Sequence, residues 1–164
     1  MQQQRIDLLQ GMPVFGGLTR KTLEYIMEQS QVQMFSSGEY LFREHEPAQS
    51  LMVLEKGSVA ILKGRQGAQY LLSTLHEGDC IGEMSLLDLQ PRSASVLALA
   101  DGVAICMSTQ VLYELYKLDL PQFTLMQLNM AREVCRRLRQ SDNLLFDERL
   151  ATGTPPQPFQ LNEE

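Results

Sequence analysis

The sequence predicts a mainly β domain with flanking helices, built as a sandwich or jelly-roll (double-stranded β-helix) barrel, and three observations carry that prediction. Between residues 32 and 107 apolar residues recur with a period near two in short runs. Those runs are separated by closely spaced turn signals: Ser37-Gly38, Glu46-Pro47, Lys56-Gly57, Gly64 to Gly67, Glu77-Gly78 and Asp101-Gly102. On either side, over residues 5–29 and 108–150, the period lengthens to that of a helix. Several short strands between glycine turns are the pattern of a closed or double-sheet β architecture.

Taken in order, the first helical segment divides at Pro13. Ile6, Leu8, Leu9 and Met12 precede it, and Leu18, Leu23, Ile26 and Met27 follow, with Pro13-Val14-Phe15-Gly16-Gly17 as the joint and Thr19 as an N-cap. Strands are expected at 32–35, 40–43, 50–55, 58–63, 69–75, 93–98 and 103–107. Ser108 or Thr109 then caps a helix running through Tyr116, and Pro121 opens a second that continues to about Arg149. Along that last helix Leu128, Ala131, Cys135, Leu138, Asp142 and Leu145 step by three and four, a heptad-like seam containing one acid. Two readings of the seam stay open: packing on its own barrel, or parallel pairing with the same helix of a second copy as a homodimer. Residues 1–150 read as one domain. Residues 151–164, with Pro155, Pro156 and Pro158 among polar residues, read as a disordered tail.

Composition bounds the function. Apolar residues at 44% and charged residues at 21% describe a soluble globular chain, and no run of 18 or more apolar residues offers a membrane span. The start, Met1-Gln2-Gln3-Gln4-Arg5-Ile6-Asp7, lacks the apolar core of a signal peptide, so the expected location is the cytoplasm. A formal charge of −6 disfavours non-specific contact with nucleic acid or anionic lipid. Cys80, Cys106 and Cys135 are odd in number and widely spaced, which makes neither a disulfide framework nor a metal-ligand set; they read as buried thiols. His45 and His76, 31 positions apart, read as surface or turn residues. Two histidines are too few for the ligand cluster of a metal-dependent cupin enzyme, and no Ser-His-Asp or Cys-His arrangement can be argued, so no catalysis, cofactor or metal is expected.

The chemistry concentrates in residues 78–96. Gly78 and Gly82 allow tight turns, Glu83 follows, a single helical turn spans 84–87, and Pro91 ends the excursion before a strand begins. The first turn of a helix carries backbone N–H groups without intrahelical partners, so a phosphate over residues 83–86 would be held by main-chain donors. Arg92 would add a planar fork of donors suited to two phosphate oxygens. Glu83 is the odd member, because a carboxylate repels phosphate unless it accepts from a neutral hydroxyl on the same ligand. A ribose 2′-OH fits that need. Phosphate and 2′-OH so close together suggest a nucleotide whose phosphate is folded back on its own sugar. Singly, Gly82 is a turn glycine, Glu83 complements a short helix dipole, and Arg92 is a solvated surface residue. The set in register is far more specific.

Gly82-Glu83-Met84-Ser85-Leu86-Leu87 followed by Pro91-Arg92-Ser93-Ala94-Ser95-Val96 resembles the phosphate-binding cassette of the cyclic-nucleotide-binding domain family, which includes catabolite activators, protein kinase A regulatory subunits and cyclic-nucleotide-gated channels. The resemblance implies that Glu83 takes the ribose, Arg92 the phosphate, and Ser93 stands beside the phosphate. Gly82, Met84 and Ser85 match the cassette backbone, and the cassette over residues 82–95 takes in Ala94. It also implies an N-terminal helical bundle that shifts on binding and a final helix that closes over the pocket as a lid. Matching Cys135-Arg136-Arg137-Leu138 to the basic segment of catabolite activators puts Ser141 and Asp142 near the base. An acceptor there suits the adenine amine, and Ser93 in place of threonine also favours cAMP, with cGMP as the second candidate. The expected ligand is therefore cAMP. The expected role is a receptor in which Leu86, Leu87 and Leu89 shift to accommodate the last helix, regulating an unidentified protein effector. The chain ends too soon for the helix-turn-helix of bacterial relatives, so no direct DNA binding is expected. Alternatives are a ligand-free adaptor using the same fold, or a sensor of a cyclic dinucleotide.

Overall fold

The computed structural model describes residues 2–153 of the chain. Among the described residues eight strands form two four-stranded antiparallel sheets. The first has the order β1 (Gln31–Phe35), β8 (Gly102–Ser108), β3 (Ser50–Lys56), β6 (Cys80–Ile81), and the second β2 (Tyr40–Phe42), β7 (Ser95–Ala98), β4 (Val59–Arg65), β5 (Ala68–Leu75). Around them lie α1 (Gln2–Gly11), a 3₁₀ turn (Pro13–Phe15), α2 (Arg20–Gln29), α3 (Glu83–Asp88), α4 (Thr109–Leu118) and α5 (Leu120–Ala151). The mainly β architecture with flanking helices and one long C-terminal helix is the expected one. β6 was not foreseen: it has two residues, too few for any period to register.

The period-two pattern explains the layering. On β3 and β8, Leu51, Val53, Ile105 and Met107 point to one face and meet Leu9, Phe15, Leu23 and Ile26 of the N-terminal helices and Met126 and Met130 of α5. The alternate residues Met52, Leu54 and Ala104 point the other way, to the second sheet, where Phe42, Val59, Val96 and Ala98 complete a second core. With both faces covered, Leu51-Met52-Val53-Leu54 reads as a continuous apolar run. Gly102 is required where β8 starts, since a Cβ there would collide with the Phe35 ring and the Lys56 carbonyl.

Capping fixes the helices. Thr19 Oγ1 accepts from the Thr22 N–H at 3.2 Å, Ser108 Oγ from Val111 N–H at 3.3 Å, and Asp119 Oδ1 from Gln122 N–H at 3.1 Å. Helix α5 packs by the face of Met126, Asn129, Met130 and Glu133, and Asn129 Nδ2 donates to the Gly16 and Val14 carbonyls at 2.8 and 3.3 Å, tying it to the 3₁₀ joint. The heptad-like seam is therefore not the face that packs on the barrel. Leu128, Cys135, Leu138, Asp142 and Leu145 are all exposed. This corrects the expectation of three buried thiols: Cys80 is buried and Cys106 half-buried, but Cys135 lies on the outer side of α5. Of the expected tail, Ala151 ends α5, the Thr152 N–H bonds the Glu148 carbonyl, and residues 154–164 lie outside the described residues. Among the described residues no helix is long and apolar enough to cross a membrane.

Candidate functional site

The site begins where β6 gives way to α3. Gly82 turns the chain with φ +88°, a conformation that favours glycine, and a Cβ there would also collide with Arg92 Nη1 and approach the Ser50 carbonyl to 3.1 Å. Helix α3 stops at Leu89, which is left-handed (φ +58°) and solvent-exposed, and the chain returns through Pro91. Arg92 is then pinned by its backbone: its N–H donates to the Glu46 carbonyl and its own carbonyl accepts from the His45 N–H, both at 2.9 Å. The side chain has no course but inward.

There the guanidinium lies 4.0 Å over the Phe42 ring, with Nη2 donating to the Ser50 carbonyl at 2.8 Å and Nη1 to the Gly82 carbonyl at 3.4 Å. Arg92 is 4% exposed, and burial lowers its proton affinity without threatening its charge. Its Nε–H is buried and meets no acceptor among the described residues. A buried orphan donor costs about 1–3 kcal/mol, so this geometry fits an arginine that completes its hydrogen bonds on an anion.

Glu83, 2% exposed, sits on the other side of the turn. Burial pushes its carboxyl above the ordinary range, while the charge of Arg137 pulls it back. Arg137 reaches across from α5: Nη1 is 2.6 Å from Glu83 Oε1, Nη2 donates to the Cys80 carbonyl at 3.1 Å, and Nε to Glu133 Oε1 at 3.1 Å. Arg136 steadies Glu133 from the same helix and, as the largest cause, holds its carboxyl below the ordinary range. One arginine thus joins the cassette to the last helix.

These groups line one cavity of about 490 Å³, a size typical of small-ligand sites. Gly82, Glu83, Met84, Ser85, Arg92, Ser93 and Ala94 form its polar end, Phe42, Ile61, Leu75 and Val96 its apolar wall, and Arg137, Gln140, Ser141 and Leu144 of α5 one side. Eight of the nine residues singled out from sequence therefore come together. Asp142 does not line the cavity and is exposed on the next face of the helix.

Sequence reasoning missed Lys63, Arg137, Gln140 and Leu144. Lys63 Nζ is 2.6 Å from both the Ser93 carbonyl and Glu44 Oε1, bracing the arm that carries Arg92. That hydrogen bond holds the Glu44 carboxyl below its ordinary value. The helical spacing Glu133, Arg137, Gln140, Leu144 marks one face of α5 and was the available signal for three of the four; nothing local marks Lys63. Among the described residues no group of three or more His, Cys, Asp or Glu side chains is placed to hold a metal ion.

The family model for the cyclic nucleotide-binding domain matches residues 32–119. The chain is 30% identical over 135 residues to the cyclic AMP receptor protein of Thermus thermophilus, covering 82% of this chain and 61% of that one. It is 34% identical over 95 residues to the cAMP-dependent protein kinase regulatory subunit of Hypocrea atroviridis, covering 58% of this chain and 20% of that one. It therefore spans about three fifths of the first relative and a fifth of the second. Among solved structures, the Thermus thermophilus catabolite activator protein superposes with a TM-score of 0.70 at 28% identity, covering 81% of this chain and 61% of that chain. A cyclic nucleotide-binding domain from Methylobacillus flagellatus shares the fold with a TM-score of 0.77 at 21% identity, over 98% of this chain and 86% of that chain.

Proposed function

We propose, from the premise that this chain belongs to the cyclic nucleotide-binding domain family, a regulatory and non-catalytic one, that it is a receptor for a 3′,5′-cyclic nucleotide, with cAMP as ligand, and that binding regulates a separate protein. The observation that carries the proposal is the buried Arg92 guanidinium, whose Nε–H meets no acceptor among the described residues, at the polar end of a cavity that also holds the buried Glu83 carboxylate. In this reading the guanidinium binds the cyclic phosphate, and Glu83 accepts from the ribose 2′-OH while Arg137 keeps it ionised. The relatives named for cAMP support that choice of base.

The same contact supplies a route to regulation. Ribose entering beside Glu83 competes with or tightens the Arg137 ion pair, so the position of α5 depends on the ligand. Leu86 and Leu87, packed against the first core, carry that change inward to the N-terminal helices, whereas Leu89 is exposed and outside this path. The exposed seam of α5, Leu128, Leu138 and Leu145 with Cys135, supports pairing with a second copy, since it is free of the barrel.

Calorimetric titration with cAMP, cGMP and a cyclic dinucleotide, beside Arg92→Ala, tests the reading. Tight binding of cAMP should weaken by about 2–5 kcal/mol in the variant. Unchanged affinity in folded Arg92→Ala would remove Arg92 from the site, and no binding of any of the three to the wild-type chain would favour an adaptor.

A further inference from the structure

Strand pairing gives out where the chain returns from α3. The ladder of β4 with β7 runs from Val59–Ala98 to Leu62–Ser95 and stops there. Just beyond, the Gly64 N–H turns to Glu44 Oε2 at 3.0 Å. Glu44, two residues past the end of β2, also holds the returning arm at two points. Its own N–H donates to Ser95 Oγ at 2.9 Å, and its carboxylate is 2.6 Å from Lys63 Nζ, which in turn donates to the Ser93 carbonyl at 2.6 Å. Ala94 lies between the two points.

This clamp leaves a donor over. A trans peptide directs its N–H opposite to its carbonyl, so fixing the Ser93 carbonyl on Lys63 also fixes the Ala94 N–H. Ala94 is 8% exposed and lines the cavity, yet its N–H meets no acceptor among the described residues. Buried backbone N–H groups are nearly always paired. Two donors without acceptors, Arg92 Nε–H and Ala94 N–H, thus stand two residues apart on one arm at the polar end of the cavity. The ammonium of Lys63 is in a different position, because the Glu44 carboxylate already meets its charge.

We infer that Lys63, with Glu44 as its counter-ion, is a positioning residue for the anion: by holding the Ser93 carbonyl it sets the Ser93–Ala94 peptide so that the Ala94 N–H is presented to one particular phosphate oxygen of the ligand. This rests on the reading of the cavity as a cyclic-nucleotide site. Lys63 acts through the peptide and not as a phosphate ligand. Its loss lets the peptide turn, and one oxygen loses its fixed donor.

The test is titration of wild-type, Lys63→Met, Lys63→Arg, Glu44→Gln and Arg92→Ala chains with cAMP and with the Rp and Sp diastereomers of adenosine 3′,5′-cyclic phosphorothioate. In each diastereomer sulfur, a poor acceptor, replaces one of the two exocyclic oxygens. Donors fixed on particular oxygens should make the wild-type chain prefer one diastereomer by about tenfold. Lys63→Met should weaken cAMP by about tenfold and shrink the diastereomer ratio to about threefold or less, and Lys63→Arg, which keeps a donor for the carbonyl, should restore the ratio. A brace that only stabilised the fold would lower Tm and leave the ratio alone. Glu44→Gln, whose amide holds Lys63 more weakly, should narrow the ratio too, and it carries the test in the event that Lys63→Met does not fold. Equal binding of the two diastereomers by the wild-type chain, or a wild-type ratio in folded Lys63→Met, overturns the inference, while loss of binding in Arg92→Ala leaves the site reading standing. Absence of cAMP binding to the wild-type chain, or equal binding by folded Arg92→Ala, overturns the site reading and the inference with it.

Discussion

Arg137→Met takes away a charge that lies 2.6 Å from a carboxylate whose side chain is 3% exposed. Breaking a buried pair from one side leaves an uncompensated charge, which costs about 3–5 kcal/mol. Arg137 itself is 30% exposed, so water already screens part of the attraction and the lower end of that range, about 3 kcal/mol, is expected. For a chain of this length that corresponds to a fall in Tm of about 6–12 °C. The pH dependence identifies the cause. Burial holds the Glu83 carboxyl above its ordinary range in the folded chain. The folded state therefore binds that proton more readily than the unfolded chain, and stability falls as pH rises through the folded value. Removing Arg137 moves the folded value up again and widens the window towards neutrality. Urea melts should accordingly show a larger penalty at about pH 8 than at about pH 5, because acid favours the protonated form of Glu83, which needs no partner. A penalty equal at both pH values, or below about 1 kcal/mol, would refute the claim that Arg137 compensates Glu83.

Gly82→Ala should destabilise by about 1–3 kcal/mol from its left-handed backbone, and weaken cAMP further by displacing the Arg92 guanidinium; paired melts and titrations separate the two effects. Met130→Ala, at a fully buried position joining α5 to the first core, should cost about 2–5 kcal/mol in urea melts. Sedimentation should find a dimer of the wild-type chain and a monomer of the Leu138→Glu, Leu145→Glu double variant; a monomeric wild-type chain would exclude pairing through the α5 seam.

What sequence could and could not disclose follows from the range of the interactions. Gly82, Glu83, Arg92 and Ser93 were legible because their types and spacing are set within a dozen residues, and the structure brings them to one cavity. The strands β1 to β5, β7 and β8 were legible from alternation and glycine turns, within a residue or two at most ends. Arg137 was not, because its role is defined by a partner 54 residues earlier. Lys63 was hidden in the same way, its function set by Ser93 and Glu44 on neighbouring segments. The seam of α5 illustrates a different limit. Its spacing revealed an apolar stripe but not which surface would cover it, and the helix uses Met126 and Met130 for the barrel instead.

The length of α5 has a mechanical consequence. Its first half is gripped by the core and its distal half stands in solvent, with Arg137 near the boundary. From Arg137 to the end at Ala151 the rod extends about 21 Å, so a tilt of about 10° at that pivot would carry the tip about 4 Å. A sub-ångström adjustment at a carboxylate is thereby geared up to the scale of a side chain. The fold can report an event at its sealed end by the stroke of a lever at its open one.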